Sequence, residues 1–130
     1  LATALTDTVV IPKNMESSES YWEMTKKLIQ HFQLHSEYTI PLDWSSASYP
    51  MAFACFKQDI FFPGLHYDPL QADAKFFTLL ADMGLVQETV DGIEVRPIQH
   101  LKKDVRLDVS DCLDLVPTLG FFLAHIEGIH

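Results

Sequence analysis

Two polar side chains stand where this 130-residue chain begins a helical pattern, and each could take part in chemistry. Asp114 precedes an apolar run, and a carboxylate at a helix start can face a cleft and accept a proton from a substrate. Ser18 precedes another helical pattern, where a hydroxyl, free amides and the positive end of the helix dipole suit a bound anion. Both residues could equally be helix caps without chemistry. The candidate reactions are therefore proton transfer and anion binding.

Imidazole and thiol groups give weaker signals. His31 and His35 are four residues apart, which is metal-ligand spacing on a helix, but the sequence offers no third ligand nearby. We expect two solvated imidazoles and no metal. Cys55 and Cys112 are isolated within apolar runs, which predicts two buried, reduced thiols. The sequence contains neither a glycine-rich phosphate loop nor a nucleophilic serine or cysteine motif.

The composition is that of a soluble globular protein, with 48% apolar and 21% charged residues. Acidic residues outnumber basic ones 18 to 9, which gives a formal net charge of −9 and argues against a nucleic-acid partner. No apolar run approaches the roughly 20 residues that a membrane span needs, so we expect no membrane partner. The two isolated, reduced cysteines predict a cytoplasmic protein. The same negative charge opposes an anionic substrate unless other chain segments supply the cations.

The first half of the sequence alternates between strand and helix patterns. Residues 8–11 predict a short strand, and apolar residues recur at helical spacing from Tyr21 to about residue 35, with Ser17 or Ser18 as the cap. Residues 37–40 alternate like a strand. The next helix is expected to begin at about Ser48, because Pro50 is tolerated only in a first turn.

The second half continues in the same way. We predict a strand at residues 60–62, a helix from about residue 76 that ends at Gly84, and a hairpin of residues 86–89 and 93–96. A strand at residues 105–109 and a helix from about 111 to 128 complete the pattern, and Pro117 predicts a late start or a kink. The order predicts an α+β fold (mixed α/β) with crossover units.

Four stretches resemble motifs of the 5-enolpyruvylshikimate-3-phosphate synthase family. Asp43-Trp44-Ser45-Ser46-Ala47-Ser48-Tyr49, which predicts a tight chain crossing before a buried helix, is similar to its Gly-Asp-Ala-Ser-Ser-Ala-Ser-Tyr signature. Residues 18–25 resemble its Ser-Lys-Pro-Tyr-Ile-Asp-Ile-Thr stretch, and residues 71–84 resemble Gln-Gly-Asp-x-Arg-Phe with its Met-Gly end. Residues 114–118, followed by Glu127-Gly128, resemble its Asp-x-x-Pro-Thr helix. Together these stretches cover residues 6–130.

The resemblance implies a portion of a two-lobed enolpyruvyl transferase fold built from βαβαββ units. Residues 1–42 would end one lobe, and residues 43–130 would form the first part of the second. The family's N-terminal Lys and Gly-rich segments, its Ser-Ser-Gln stretch and its Lys-Glu-Thr-Asp-Arg segment have no counterpart, so we expect a fragment of a longer synthase. Such a fragment should be inactive alone, should need the rest of the parent chain as its partner, and could self-associate through exposed apolar faces.

The resemblance also implies a reaction and roles for three residues. The enolpyruvyl group of phosphoenolpyruvate would move to the 5-hydroxyl of shikimate 3-phosphate, in the shikimate pathway of aromatic amino acid biosynthesis, without a cofactor. Asp114 would be the catalytic residue that bonds the reacting hydroxyl. Ser18 would hold the substrate phosphate and Tyr21 would lie near the shikimate ring, although Tyr21 could also be a core residue. Neither Arg96 nor Arg106 falls at a family site, so the phosphate-binding cations would come from other segments.

Two other interpretations remain open. The chain could belong to the related transferase that acts on UDP-N-acetylglucosamine, although that relative carries a different stretch at the crossing. It could instead be a non-catalytic binding domain that kept the fold, and the departures Glu19, Leu42 and Trp44 would then mark a decayed site. We expect the polar residues of the crossing to be structural, and Asp73 and Lys75 to lie on a solvated helix face. The crossing residues are Asp43, Ser45, Ser46 and Ser48.

Overall fold

The computed structural model describes residues 19–100 and 104–128, which form four helices and one three-stranded sheet. In chain order the elements are α1 (Glu19–Leu34), α2 (Trp44–Ala54), β1 (Ile60–Pro63), α3 (Lys75–Asp82), β2 (Val86–Thr89), β3 (Gly92–Val95) and α4 (Val116–Leu123). Short 3₁₀ turns, Ala72–Ala74 and Leu113–Leu115, lead into α3 and α4. The predicted strand at residues 8–11 and the predicted caps Ser17 and Ser18 lie outside the described residues.

The sheet has the order β1-β3-β2, and both pairings are antiparallel. Glu94 of the central strand lies between Phe61 of β1 and Gln87 of β2. The two outer strands therefore run in the same direction and are joined through α3, while β3 lies between them. This arrangement is a split β-α-β unit, and it confirms the predicted hairpin and the mixed α and β class.

Helix α2 begins four residues earlier than its proline suggested. The Asp43 carboxylate accepts hydrogen bonds from the amides of Ser45 and Ser46, at 3.2 and 3.1 Å, and so caps the helix at Trp44. Pro50 is consequently the seventh residue of the helix and not a first-turn residue. The predicted start at Ser48 is wrong, because the carboxylate cap fixes the N-terminus upstream of the proline.

Gly84 marks the end of α3, and Pro117 marks the start of α4. The amides of Gly84 and Leu85 donate to the carbonyls of Ala81 and Leu80, both at 2.9 Å, in a Schellman motif with Gly84 at φ +70°. The predicted end of α3 is confirmed. Pro117 lies in the first turn of α4, which begins at Val116 and ends at Leu123. The late start is confirmed, but the helix stops five residues before Gly128.

Two predicted strands are wrong. Residues 37–40 and 105–109 form neither helix nor strand and pair with no strand in the described part of the chain. In the second segment Val105 is buried, Leu107 and Val109 are half-buried, and the intervening Arg106 and Asp108 are exposed. The alternation correctly indicates which side chains face inward. It does not show whether a neighbouring strand is available for backbone hydrogen bonds.

The core lies among α2, α3, α4 and one face of the sheet. Its largest fully buried side chains are Trp44, Phe76, Phe122, Met51, Leu65, Leu80, Ile93 and Leu115. Cys55 and Cys112 are buried and free, as predicted. Helix α1 contributes no fully buried side chain among the described residues. None of the helices in the described ranges is long and apolar enough to cross a membrane.

Candidate functional site

Tyr21 and Asp114, two of the three residues expected at a site, meet in the structure. The Tyr21 hydroxyl donates to Asp114 Oδ2 at 3.4 Å, although the residues are 93 positions apart. Tyr21 lies in the first turn of α1, and Asp114 lies in the 3₁₀ turn that enters α4. The third residue, Ser18, lies outside the described residues. Helix α1 is thereby placed against the N-terminal end of α4.

The Tyr21 phenol donates a hydrogen bond and does not lose its proton easily. Burial raises its pKa to about 12, and the negative charges of Asp73 and Asp114 act in the same direction. The hydroxyl therefore keeps its proton at neutral pH. It has a single proton to donate, and two carboxylates face it.

Asp73 is buried, which contradicts the expectation that it lies on a solvated helix face. It is 3% exposed and lies in the 3₁₀ turn before α3. Its Oδ2 accepts a hydrogen bond from the Ser45 hydroxyl, while its Oδ1 accepts none from the described residues. Burial raises the pKa of Asp73, and the charges of Asp114 and Asp43 raise it further, against the hydrogen bond from Ser45.

A third carboxylate binds the N-terminus of α1. The amide of Ser20 donates to Asp111 Oδ1 at 3.0 Å, and the Ser20 hydroxyl donates to Asp111 Oδ2. Burial alone would raise the pKa of Asp111, but the hydrogen bonds from Ser20 and the charge of Lys75 hold it below its usual value. Lys75 is thus half-buried beside this pair, and its predicted solvated position is only partly right. An internal anion occupies part of this helix terminus.

A groove of about 510 Å³ leads away from the Tyr21 hydroxyl. It lies between α1, the irregular segment that precedes α2, and the loop that precedes α3. Its walls are mostly apolar and include the carboxylates of Asp43, Asp68 and Asp73. The lining residues are Tyr21, Met24, Leu28, Phe32, Tyr38, Ile40, Pro41, Asp43, Ser45, Asp68, Leu70, Gln71, Ala72 and Asp73.

The crossing residues are structural, as predicted. Ser48 is buried, and its hydroxyl donates to the Ser45 carbonyl at 2.8 Å and bonds the Thr118 hydroxyl at 2.9 Å. This pair ties α2 to α4. Trp44, which differs from the small residue of the family motif, is fully buried, and its indole N–H donates to the His66 carbonyl at 3.0 Å. The substitution at Trp44 is therefore accommodated by the core.

The histidine pair is engaged in local contacts. His31 Nε2 bonds the Glu37 carbonyl at 2.8 Å, and the His31 and His35 rings lie 4.7 Å apart. Within residues 19–100 and 104–128, no three His, Cys, Asp or Glu side chains gather in a way that could hold a metal ion. The described residues thus contain no cluster of side chains suited to bind a metal ion.

Comparison with known families shows the family of the chain. The sequence profile of EPSP synthase (3-phosphoshikimate 1-carboxyvinyltransferase) matches residues 11–129, which is almost the whole chain. The chain therefore belongs to the EPSP synthase family. The resemblance inferred from the four motifs is confirmed.

Curated relatives carry the same description. The chain is 37% identical over 94 residues to the 3-phosphoshikimate 1-carboxyvinyltransferase of Methanothrix thermoacetophila, which covers 72% of this chain and 22% of that protein. It is 32% identical over 122 residues to the enzyme of that name from Methanococcus maripaludis strain C5, which covers 92% of this chain and 28% of that protein. The chain thus spans about a quarter of the length of these relatives. No solved structure shows significant similarity to it.

Three features of the site were missed by sequence reasoning. The burial of Asp73 follows from its place in a turn flanked by the buried small residues Ala72 and Ala74, which was the available signal. The contact between Ser20 and Asp111 had no local signal, because it joins residues 91 positions apart. The groove arises only when α1 lies beside the loop before α3.

Proposed function

We propose that the chain is part of a 3-phosphoshikimate 1-carboxyvinyltransferase of the cytoplasm. In this proposal the full enzyme moves the enolpyruvyl group of phosphoenolpyruvate to the 5-hydroxyl of shikimate 3-phosphate. Residues 1–42 belong to one lobe, and residues 43–130 begin the other. The observation that carries the proposal is the meeting of Tyr21 and Asp114, which match the family motifs at two distant places.

Asp114 accepts the proton of the attacking hydroxyl. The residue is exposed at the start of α4, so its second oxygen is open to a substrate while Oδ2 is held by Tyr21. A carboxylate held at one oxygen has a fixed orientation, which general-base catalysis requires. Tyr21 therefore orients the base and packs beside the substrate ring.

The phosphate groups are held by Ser18 together with cations from the rest of the parent chain. Ser18 is assigned to phosphate because it matches the family serine in that role, and the Ser20 amide binds the Asp111 carboxylate instead. The chain contributes 9 basic residues against 18 acidic ones, and anions of this charge need several converging cations. The 130-residue chain alone should therefore show no turnover.

The test is a chimera in which this chain replaces the aligned segment of the Methanococcus maripaludis strain C5 enzyme. We expect the chimera to form 5-enolpyruvylshikimate 3-phosphate. Asp114→Asn should lower kcat by about 10²- to 10⁴-fold, because the amide cannot accept the proton. Asp59→Asn, a change at an exposed carboxylate far from Tyr21, is the matched control and should leave kcat unchanged.

Two outcomes would contradict the proposal. A folded chimera without turnover would mean that this segment does not support the reaction. Full activity of the Asp114→Asn chimera would remove Asp114 from its role. Supplying UDP-N-acetylglucosamine in competition with shikimate 3-phosphate distinguishes the related transferase, which would consume the sugar nucleotide.

A non-catalytic binding domain is the second candidate, and one contact favours it. The Asp111 carboxylate occupies amide and hydroxyl donors at the start of α1, where a phosphate would otherwise bind. If the site still binds phosphate, Asp111→Asn in the chimera should free these donors and lower the KM for shikimate 3-phosphate. An unchanged KM in a poorly active chimera would favour the binding domain.

A further inference from the structure

We propose that Asp73 is a positioning residue that controls, through Tyr21, whether Asp114 keeps its hydrogen-bond donor. This inference rests on the proposed function, since it concerns the base of that reaction. It starts from the buried Asp73 carboxyl, whose Oδ1 accepts no hydrogen bond within the described ranges. A buried polar atom without a partner is costly and calls for an explanation at a functional site.

The geometry brings four side chains together at one end of α1. Ser45 at the start of α2 donates to Asp73 Oδ2, which fixes the carboxyl in the groove wall. Tyr21 and Asp73 line the same groove, and the Tyr21 hydroxyl donates its hydrogen bond to Asp114 at 3.4 Å. That distance is longer than an ordinary O–H···O bond of about 2.5–3.0 Å, as expected for a donor shared between two acceptors.

The protonation of Asp73 decides how the shared proton is used. When Asp73 is neutral, its own hydroxyl can donate to the Tyr21 oxygen, and Tyr21 then donates its proton to Asp114. When Asp73 is ionised, its charge attracts the Tyr21 proton, and Asp114 loses its donor and faces a second negative charge. The neutral form of Asp73 is therefore the one that orients the base.

The groups around Asp73 favour that neutral form. From α1 it faces Tyr21, from the start of α2 it faces Asp43, and from the turn before α4 it faces Asp114 and Cys112. None of these is a cation. Lys75, two residues along, acts instead on the pKa values of Asp108, Asp111 and Cys112.

The test on the 130-residue chain is a ¹³C-carboxyl NMR titration. We expect the Asp114 carbon to show a second inflection at the pH where Asp73 ionises. Asp73→Asn, whose amide can still donate to Tyr21, should remove this inflection, and Tyr21→Phe should strongly reduce it. Identical Asp114 titrations in the parent chain and Asp73→Asn would overturn the proposal, as would an inflection unchanged by Tyr21→Phe.

Ser45→Ala keeps the test decisive if Asp73→Asn does not fold. The Ser45 hydrogen bond lowers the pKa of Asp73, so its removal should move the second inflection of Asp114 to higher pH. Ser46→Ala is the matched control, because that hydroxyl bonds Asp43 and not Asp73. Equal effects of the two alanine variants would overturn the proposal.

The catalytic consequence is tested in the chimera. As pH rises, kcat of the parental chimera should fall when Asp73 ionises, and Asp73→Asn should move this descending limb to higher pH with little change in KM. Parallel profiles would overturn the positioning role. If the chimera is inactive but the Asp114 carbon shows the expected second inflection, the proposed function is contradicted and the link between Asp73 and Tyr21 is not.

Discussion

At the scale of single residues, the site is organised by hydrogen-bond donors that are fewer than the acceptors around them. The Tyr21 proton faces Asp73 and Asp114, and the Ser20 amide and hydroxyl are both used by Asp111. Carboxylates gathered in this way repel one another unless protons or cations relieve them. Burial favours the neutral form of Asp73, and hydrogen bonds from Ser20 stabilise the charged form of Asp111.

The raised pKa of Tyr21 predicts a loss of stability in alkali. The folded chain keeps this proton up to about pH 12, whereas the unfolded chain releases it near the ordinary tyrosine pKa of 10.0. Between these values the folded state binds more protons, so the free energy of unfolding should fall as pH rises. Urea unfolding at pH 9 and pH 11.5 measures the difference.

Tyr21→Phe should reduce this alkaline loss. Tyr49→Phe, which changes an exposed tyrosine on α2, should leave it unchanged. Equal alkaline losses in the parent chain and Tyr21→Phe would show that Tyr21 does not hold its proton more tightly when folded.

At the scale of elements, close backbone contacts decide where helices and strands can form. Gly92 begins β3 opposite Pro63 and has φ +150°. A Cβ at this position would lie 2.2 Å from the Phe62 carbonyl oxygen and 3.1 Å from the Gly64 nitrogen. Both neighbours are backbone atoms, so the turn and strand would have to move.

Gly92→Ala should therefore lower the free energy of unfolding by at least about 2 kcal/mol, from the strained φ and the clash. The matched control is Gly120→Ala within α4, where a Cβ would meet nothing within 4 Å. That change should raise stability by about 1 kcal/mol, because alanine favours a helix. Chemical denaturation of the two variants measures both effects, and equal effects would contradict the register of β1 and β3.

Pro50 gives a second prediction at this scale. As the seventh residue of α2 it donates no hydrogen bond to the Ser46 carbonyl, and its ring crowds that turn. Because Pro50 is exposed, Pro50→Ala should stabilise the chain by about 1–3 kcal/mol without disturbing the core. Thermal unfolding measures the change, and a loss of stability would mean that the helix depends on the bend.

The elements also show how far sequence reasoning reaches. The periodic apolar residues of α1, the Gly84 stop and the hairpin are local signals, and the structure confirms them. The start of α2 was misplaced because the Asp43 cap outweighs the cost of Pro50. The strand predicted at residues 105–109 lacks a partner strand among the described residues, which no local pattern can reveal.

The site was predictable in part for the same reason. The motifs pointed to Tyr21 and Asp114, and the structure brings those two together. Asp73 was placed in solvent because its charge was weighed above its small apolar neighbours Ala72 and Ala74, which are buried with it. Long-range contacts such as Ser20 with Asp111 are properties of the folded chain.

At the scale of the whole molecule, one side of the groove is left uncovered by the described residues. Large apolar side chains on and after α1 remain in solvent: Phe32 at 56% exposed, Leu34 at 81%, Ile40 at 84% and Leu42 at 52%. Clustered apolar surface of this kind favours association. The net charge of −9 opposes it by repulsion between copies.

We therefore predict that the isolated chain self-associates, and more strongly as salt screens its charge. Sedimentation velocity at low and high salt should show the shift to larger species. The double variant Phe32→Ser and Ile40→Thr should remain monomeric under both conditions. Val90→Thr, a change at a 92% exposed residue of the hairpin turn, is the control and should associate like the parent chain.

The order of strands in the sheet has a consequence for synthesis on the ribosome. The central strand β3 is the last of the three to be translated, and the two strands that flank it bond to it and not to each other. In a nascent chain that ends before Gly92, β1 and β2 have been made but both lack the strand with which they pair. During that interval, chaperones that bind unpaired strands could bind this chain. The sheet can form only after β3, which ends at Val95, has left the exit tunnel.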